Sequence, residues 1–507
     1  MATEFDVARL YEGPAVPPGT PVATPGVPLD EKLRQAYFWI VNNAIITPYY
    51  DIEFNDGPPK SFRFGGAGSE LRLPTAQSYS SFVLLPLLTF VSRRRCLFIG
   101  GPGRGKTASA TLMGILAGYS LKELRRAIQH GQPQMTIADL LGNPLPRDLI
   151  QAESAEDIRI AWRRWLSMRV KIVDEYNRIP TRTQSALLTP MADGYAEILD
   201  QTLESPESAW FLTANDDMGG GTYQVIEALK DRIDIVVKAL NFNPRFLSEL
   251  LARIEERIRP EEIVPEEVVF TPAELDRAYT EILAVTLPRP VRRRMEFFAS
   301  QFDFCDLAAQ DMEYKSKDTI RLAGKTVSTV CSGDCGRDKV KALCSQTENG
   351  LSVRGLQTWL AFVKTLAWFR GAPEASIPDA RQIVPWVLHE KLLPNLTSPF
   401  FDQTGNGVYR IDRVAWIRRA FDLACEEYAR LDLDRDDPAS AGEAAFDKGL
   451  DGVTEAEVRR QLGAIETVLG KLAKGTKLYA HVHADILKLK YFHQRYSNYL
   501  AWLKWKG

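Results

Sequence analysis

The sequence predicts an α/β fold: a parallel sheet sandwiched by helices, then a mainly helical region, then a C-terminal helical module. Three observations predict it. Short, wholly apolar segments at 95–99, 170–173 and 210–213 alternate with helical patterns between residues 75 and 243. Strands apolar on both faces belong in a parallel sheet covered on both sides. From 244 to 395 the pattern is mainly helical, interrupted by a cysteine-bearing segment at about 303–348, and from 396 to 507 it is helical again with a polar break at 432–452. Residues 1–74 precede the α/β region and make a fourth part.

The elements follow in order. Residues 13–28 are rich in Pro, Gly, Thr and Val and read as a poorly ordered leader or surface strap. A helix is expected over 30–43. Residues 45–73 alternate apolar and polar around Asn55-Asp56-Gly57 and read as a hairpin. The longest apolar run, 82–91, is about half a membrane span and carries Pro86. Near the C-terminus, Thr454 with Glu457 forms a capping box, and Val458, Leu462, Ile465, Val468 and Leu472 follow at helical spacing. Gly475 allows a turn into a last helix carrying Val482, Ile486, Leu489, Tyr496 and Leu503, which makes an antiparallel helical hairpin. No fixed-period repeat is present.

Bulk properties narrow the classes. A chain of 507 residues is expected to hold two to four domains, and 45 % apolar with 25 % charged residues is ordinary for a soluble globular protein. The net charge of -2 gives no overall pull toward polyanions, so nucleic-acid binding is not favoured. Residues 1–9 are acidic and polar, unlike a cleavable signal peptide, so a cytoplasmic protein with no membrane insertion is expected. In such a reducing compartment the six cysteines read as thiols or metal ligands rather than disulfides.

Chemistry enters directly after the first apolar strand. Gly100-Gly101-Pro102-Gly103-Arg104-Gly105-Lys106-Thr107 fits the phosphate-binding P-loop pattern. Glycines let backbone N–H groups wrap phosphates, Lys106 reaches the β- and γ-phosphates of ATP, and the Thr107 hydroxyl ligates Mg²⁺. The helix that starts here points its positive end at the anion. The second apolar strand ends in Asp174-Glu175. Asp174 would hold the Mg²⁺ through water and Glu175 would polarise the attacking water.

These and further residues resemble the MoxR branch of the AAA+ ATPases. Asp174-Glu175-Tyr176-Asn177-Arg178 and Thr183-Gln184-Ser185-Ala186-Leu187-Leu188 look like the family's D-E-x-N-R and T-Q-S-A-L-L, with Arg182 where Lys is usual. Thr213-Ala214-Asn215 is similar to the sensor strand. Gly221-Thr222-Tyr223, Glu227-Ala228 and Asp231-Arg232 match G-T-Y-x(3)-E-A-x(2)-D-R, and Gly350-Leu351-Ser352-Val353-Arg354 resembles the lid motif G-x-S-x-R. The resemblance spans about 75–393 and departs at Tyr176, usually aliphatic, and at Asp216-Asp217. It implies that Asn215 orients the lytic water, that Arg232 is an arginine finger serving a neighbouring subunit, and that Arg354 is a lid sensor for the γ-phosphate. It also implies a hexameric ring, a client protein to remodel or mature, and an adaptor with a von Willebrand factor A domain. Two other classes compete: a nucleic-acid translocating motor of a defence or restriction type, and a nucleotide-gated scaffold.

The remaining signals are weaker. Cys305, Cys331, Cys335 and Cys344 lie in a segment that interrupts the resemblance, and they could ligate a structural Zn²⁺, with Gly333 and Gly336 shaping a knuckle, or remain free thiols. Cys96 and Cys425 read as core residues. The last 37 residues are basic and aromatic, and read as a solvated basic face over an aromatic core, as a surface that docks a protein, or as one that stacks nucleic-acid bases. His481 and His483, two apart on a helix, do not suit a metal pair. Arg93-Arg94-Arg95 and Arg292-Arg293-Arg294 are expected at helix ends or subunit seams.

Overall fold

The computed structural model describes residues 27–44, 49–65, 70–154, 157–215, 227–240, 247–257, 259–331, 335–435, 437–475 and 478–506. Most of the expected leader, Asp216-Asp217, Gly221-Thr222-Tyr223 and Gly333 lie outside these ranges. The chain divides into two compact units, residues 1–288 with 353–391, and residues 289–352 with 392–507.

In the first unit, helix α1 (Leu29–Trp39) continues into a π-helical turn, Ile40–Ala44, close to the expected 30–43. Strands β1 (Tyr50–Glu53), β2 (Lys60–Arg63), β3 (Glu70–Leu73) and β4 (Ser78–Ser80) follow. The single hairpin expected around Asn55-Asp56-Gly57 is corrected: β1 pairs with β4, and β2 pairs with β3. Pro58 and Pro59 explain it, because neither has an N–H to extend a ladder out of the Asp-Gly turn. Asn55 bonds the Thr75 backbone instead, at 3.0 Å. Asp51 then accepts from the Ser81 N–H and hydroxyl, both at 3.0 Å, starting helix α2 (Ser81–Ser92). The apolar run 82–91 is this fully buried helix, and Arg93 closes it in the left-handed conformation, as expected of that arginine run. No helix of the described residues is long and apolar enough to cross a membrane.

Five parallel strands form the central sheet: β5 (Arg95–Ile99), β6 (Gln129–His130), β9 (Val170–Asp174), β12 (Ala209–Ala214) and β13 (Ile235–Lys238), in the order β13-β5-β12-β9-β6. The intervening β7 (Gly142–Pro144) and β8 (Ile160–Trp162), and β10 (Tyr195–Ile198) and β11 (Gln201–Glu204), make two separate antiparallel pairs. The three apolar strands of the sequence are thus found; β6 and β13 are additional. Every residue of β12 is buried, as continuous apolar strands require. The register aligns Ile99 with Ala214 and Val173 with Leu212, so the loops leaving β5, β9 and β12 emerge along one edge. That carboxyl edge, where chain connections diverge, is where α/β sheets bind ligands.

Helix Val353–Phe369 joins this unit through a buried acid. Asp234 accepts from the Thr358 hydroxyl at 2.6 Å and from the Arg95 backbone N–H at 3.0 Å. Within β9, Lys171 is buried under the Trp210 ring and donates to the Met168 carbonyl at 2.6 Å and the Ser208 hydroxyl at 2.9 Å. Burial pushes its ammonium down to about 7. The unfolded chain therefore binds a proton that the folded chain resists between about pH 7 and pH 10.5, so this lysine costs stability below that window and the cost fades as pH rises through it. Lys171→Met is expected to raise stability near pH 7 by roughly 1–4 kcal/mol. Denaturant unfolding at several pH values checks this, with the gap to wild type closing toward pH 10.

The second unit packs helices Arg289–Asp303 and Arg413–Arg430 with the hairpin Glu455–Gly475 and Ala480–Lys506. Val458, Ile465, Leu489 and Tyr496 are in the buried centre of that hairpin, as the spacing predicts, together with Phe492, which the spacing does not single out. Half of the expected capping box forms: the Glu457 N–H donates to Thr454 Oγ1 at 3.3 Å, while the Glu457 carboxylate takes Arg460 and Gln461. Arg293 corrects the expectation for its run. It lies inside its helix, 8 % exposed, bonded to Asp437, Asp485 and Glu296, and their charges hold its guanidinium ionised.

Candidate active site

The loop after β5 builds the first wall. Gly103 and Gly105 hold φ of 71° and 74°, the left-handed region where glycine is unstrained, and Gly105 leads directly into helix α3 (Lys106–Leu116). A Cβ on Gly100 would stand 2.3 Å from the Ala239 carbonyl, so strand β13 packs directly against this turn. A helix start preceded by glycine amides is the kind of arrangement that suits an anion. Lys106 is 7 % exposed, and its Nζ donates to the Gly100 and Gly101 carbonyls at 2.6 and 2.8 Å and to Asn215 Oδ1 at 2.8 Å.

The ends of β9 and β12 build the second wall. Asp174 Oδ1 accepts from the Thr107 hydroxyl at 2.7 Å and the Thr213 hydroxyl at 2.6 Å, and Oδ2 meets His130 Nδ1 at 3.3 Å. Glu175 follows in the left-handed conformation with φ 51°. Its Oε1 accepts from Asn215 Nδ2 at 2.8 Å, its Oε2 faces Arg178 Nε at 3.3 Å, and its N–H donates to Thr213 Oγ1 at 2.9 Å. Lys106, Asn215 and Glu175 thus form one continuous chain of polar contacts. Three loops separated by up to 109 residues converge on it.

The donor set fits a magnesium nucleotide. A hydroxyl and a carboxylate oxygen in direct contact are hard ligands of the kind Mg²⁺ takes, beside a buried ammonium and a glycine-wrapped helix start that suit phosphate oxygens. Tyr176 takes the aliphatic position as a buried residue, and burial pushes its phenol up.

The other expected residues lie away from this chain of contacts. Arg232 ends the helix Glu227–Arg232. Arg354, at the start of helix Val353–Phe369, pairs with the carboxylate of Asp231, and Lys391 Nζ donates to the Asp231 carbonyl at 2.8 Å. The start of helix Val353–Phe369 and the end of helix Glu227–Arg232 are therefore tied together through Asp231.

The zinc expectation finds no support. All six cysteines are free, and among the described residues no group of three or more His, Cys, Asp or Glu side chains is set to hold a metal. Cys305, Cys331, Cys335 and Cys344 are gathered without converging on one point. Burial first, and then charge on the neighbouring thiols, pushes Cys305 and Cys331 up, while the Leu307 N–H bonds the Cys305 sulfur. Cys96 is a core residue as expected; Cys425 is half-buried on its helix.

Three residues of this site carry no assigned role in the sequence reading: Thr213, His130 and Gly131. For Thr213 a signal existed, since it lies two positions before Asn215 and alternate residues of a strand share a face. His130 ends, and Gly131 follows, a two-residue strand that has no readable period.

Residues 95–235 match the family described as ATPases associated with various cellular activities (AAA). Among solved structures, the chain is similar to a proposed ATPase from Cytophaga hutchinsonii, at 17 % identity and a TM-score of 0.47, over 67 % of this chain and 89 % of that one. No curated protein matches the chain significantly.

Proposed function

We propose that this chain, which carries an AAA-family ATPase domain at residues 95–235, hydrolyses ATP and uses the cycle to remodel a client protein. The observation that carries the proposal is the convergence of Lys106, Thr107, Asp174, Glu175 and Asn215 on one edge of the sheet. Each has a task in phosphoryl transfer. The amides before Lys106 and its ammonium bind the phosphates. Glu175, held by Asn215, accepts a proton from the attacking water. Magnesium, when bound at Thr107 and Asp174, neutralises charge on the transferring phosphoryl group.

Arg232 completes the site of a neighbouring copy in a ring, six subunits in this reading. The contacts of Asp231 with Arg354 and Lys391 support coupling between that finger and the lid. Resemblance to the MoxR branch supports the protein client and a partner with a von Willebrand factor A domain. Arg232→Ala is expected to bind ATP yet lose hydrolysis by about 10³-fold, and mixing it with Glu175→Gln should restore part of the activity through hybrid interfaces. Phosphate release measured across mixing ratios decides it; no rescue at any ratio removes the trans finger.

A further inference from the structure

We propose that Thr213 is a positioning residue that, through a single hydroxyl, fixes the Asp174 carboxylate and the backbone of Glu175. The proposal rests on the ATPase reading above and extends it to a side chain to which that reading gives no role.

Thr213 is the fifth of six residues in β12 and is fully buried. Its hydroxyl proton is donated to Asp174 Oδ1 at 2.6 Å, and its oxygen accepts the Glu175 N–H at 2.9 Å. The polarity of the relay is fixed: amide to hydroxyl, hydroxyl to carboxylate. One side chain thereby sets the rotation of Asp174 and the backbone of Glu175. Glu175 needs the second contact, because a non-glycine residue in the left-handed region is strained and persists only where its surroundings hold it. Two further contacts clamp the same turn. The Arg178 N–H donates to the Glu175 carbonyl at 2.8 Å, and the Gly131 N–H donates to the Asp174 carbonyl at 2.7 Å. Gly131 also approaches so closely that a Cβ there would stand 2.2 Å from the Glu175 carbonyl oxygen. Those contacts hold the carbonyl side; Thr213 holds the amide side and is alone among the three in also touching the Asp174 carboxylate, Arg178 pairing with that of Glu175.

Without the hydroxyl, Asp174 keeps Thr107 but loses its buried donor, and the Glu175 amide loses its acceptor. The misplacement falls on groups acting in the chemical step more than on those binding the nucleotide, so kcat should suffer more than affinity.

The test uses the full chain and measures phosphate release from ATP over a magnesium titration, with binding of a fluorescent ADP measured without magnesium. Thr213→Val keeps the shape and removes the hydroxyl; it is expected to lower kcat about 30-fold or more and to raise the magnesium needed for half-maximal rate, with ADP affinity within about twofold of wild type. Thr213→Ser keeps the hydroxyl and should recover most of the rate. Should Thr213→Val fail to fold, Thr213→Cys replaces it, since a thiol is a weak donor and acceptor and should show the same loss. Wild-type kcat and magnesium dependence in Thr213→Val, or in Thr213→Cys where it stands in, overturn the proposal. So does a Thr213→Ser variant as impaired as Thr213→Val, which would leave only a packing role. A wild-type chain that releases no phosphate sinks the ATPase reading and this proposal with it, whereas an active wild type with unaffected variants sinks the proposal alone.

Discussion

Glu175→Gln is expected to bind ATP with magnesium as tightly as wild type and to release phosphate at least 10²–10³ times more slowly. The substitution keeps the side chain's length and its capacity to accept from Asn215 Nδ2 through the amide oxygen. It removes the negative charge and the basic oxygen that take a proton from water. Because Lys106 keeps the Gly100 and Gly101 carbonyls and Thr107 keeps Asp174 when Glu175 is replaced, binding should survive. Single-turnover phosphate release beside equilibrium nucleotide binding separates the two. A Glu175→Gln chain that turns over normally would remove the assigned base, and one that cannot bind nucleotide would show that the carboxylate has a structural role.

Lys106→Ala is expected to act at the other step, weakening ATP binding about 100-fold or more, since a buried ammonium facing phosphate oxygens gives strong charge-assisted hydrogen bonds. The Lys106 amine sits on the carbonyls of Gly100 and Gly101 and on Asn215, so it also holds the loop. Its loss should leave folding largely intact, because the loop is also shaped by the left-handed glycines and by the packing of Gly100 against Ala239. Titration with a fluorescent ATP analogue, alongside thermal melting, checks both halves. Unchanged affinity in a folded Lys106→Ala protein would move the nucleotide away from this loop.

Much of the candidate site is legible in the sequence, for identifiable reasons. Strands at 95–99, 170–173 and 210–213 are apolar apart from Arg95, Lys171 and Thr213, so their burial is written locally, and the polar residues at their ends stand out. The P-loop glycines are required by backbone angles that other residues resist, so they too leave a local mark. Two-residue β6 carries no period, yet it brings His130 and Gly131 to the acids. The Asn55-Asp56-Gly57 turn suggested pairing across it, while Pro58 and Pro59, which cannot donate, sent the flanking strands to other partners.

The sequence by itself determined the order of the strands and singled out the residues whose chemistry suits a phosphate, a magnesium ion and a proton acceptor. Tertiary structure alone decided that Thr213 bridges Asp174 and Glu175, that Arg293 is an interior cation among three acids, and that Arg354 meets Asp231. It also decided that the four gathered cysteines are not set as a metal site, and that residues 353–391 group with the first 288 rather than with their sequence neighbours. The physical reason is common to all of these. Backbone preference and hydrophobic period act over a few residues and are written in the sequence, whereas which buried hydroxyl, acid or cation meets which partner depends on contacts closed across many tens of residues.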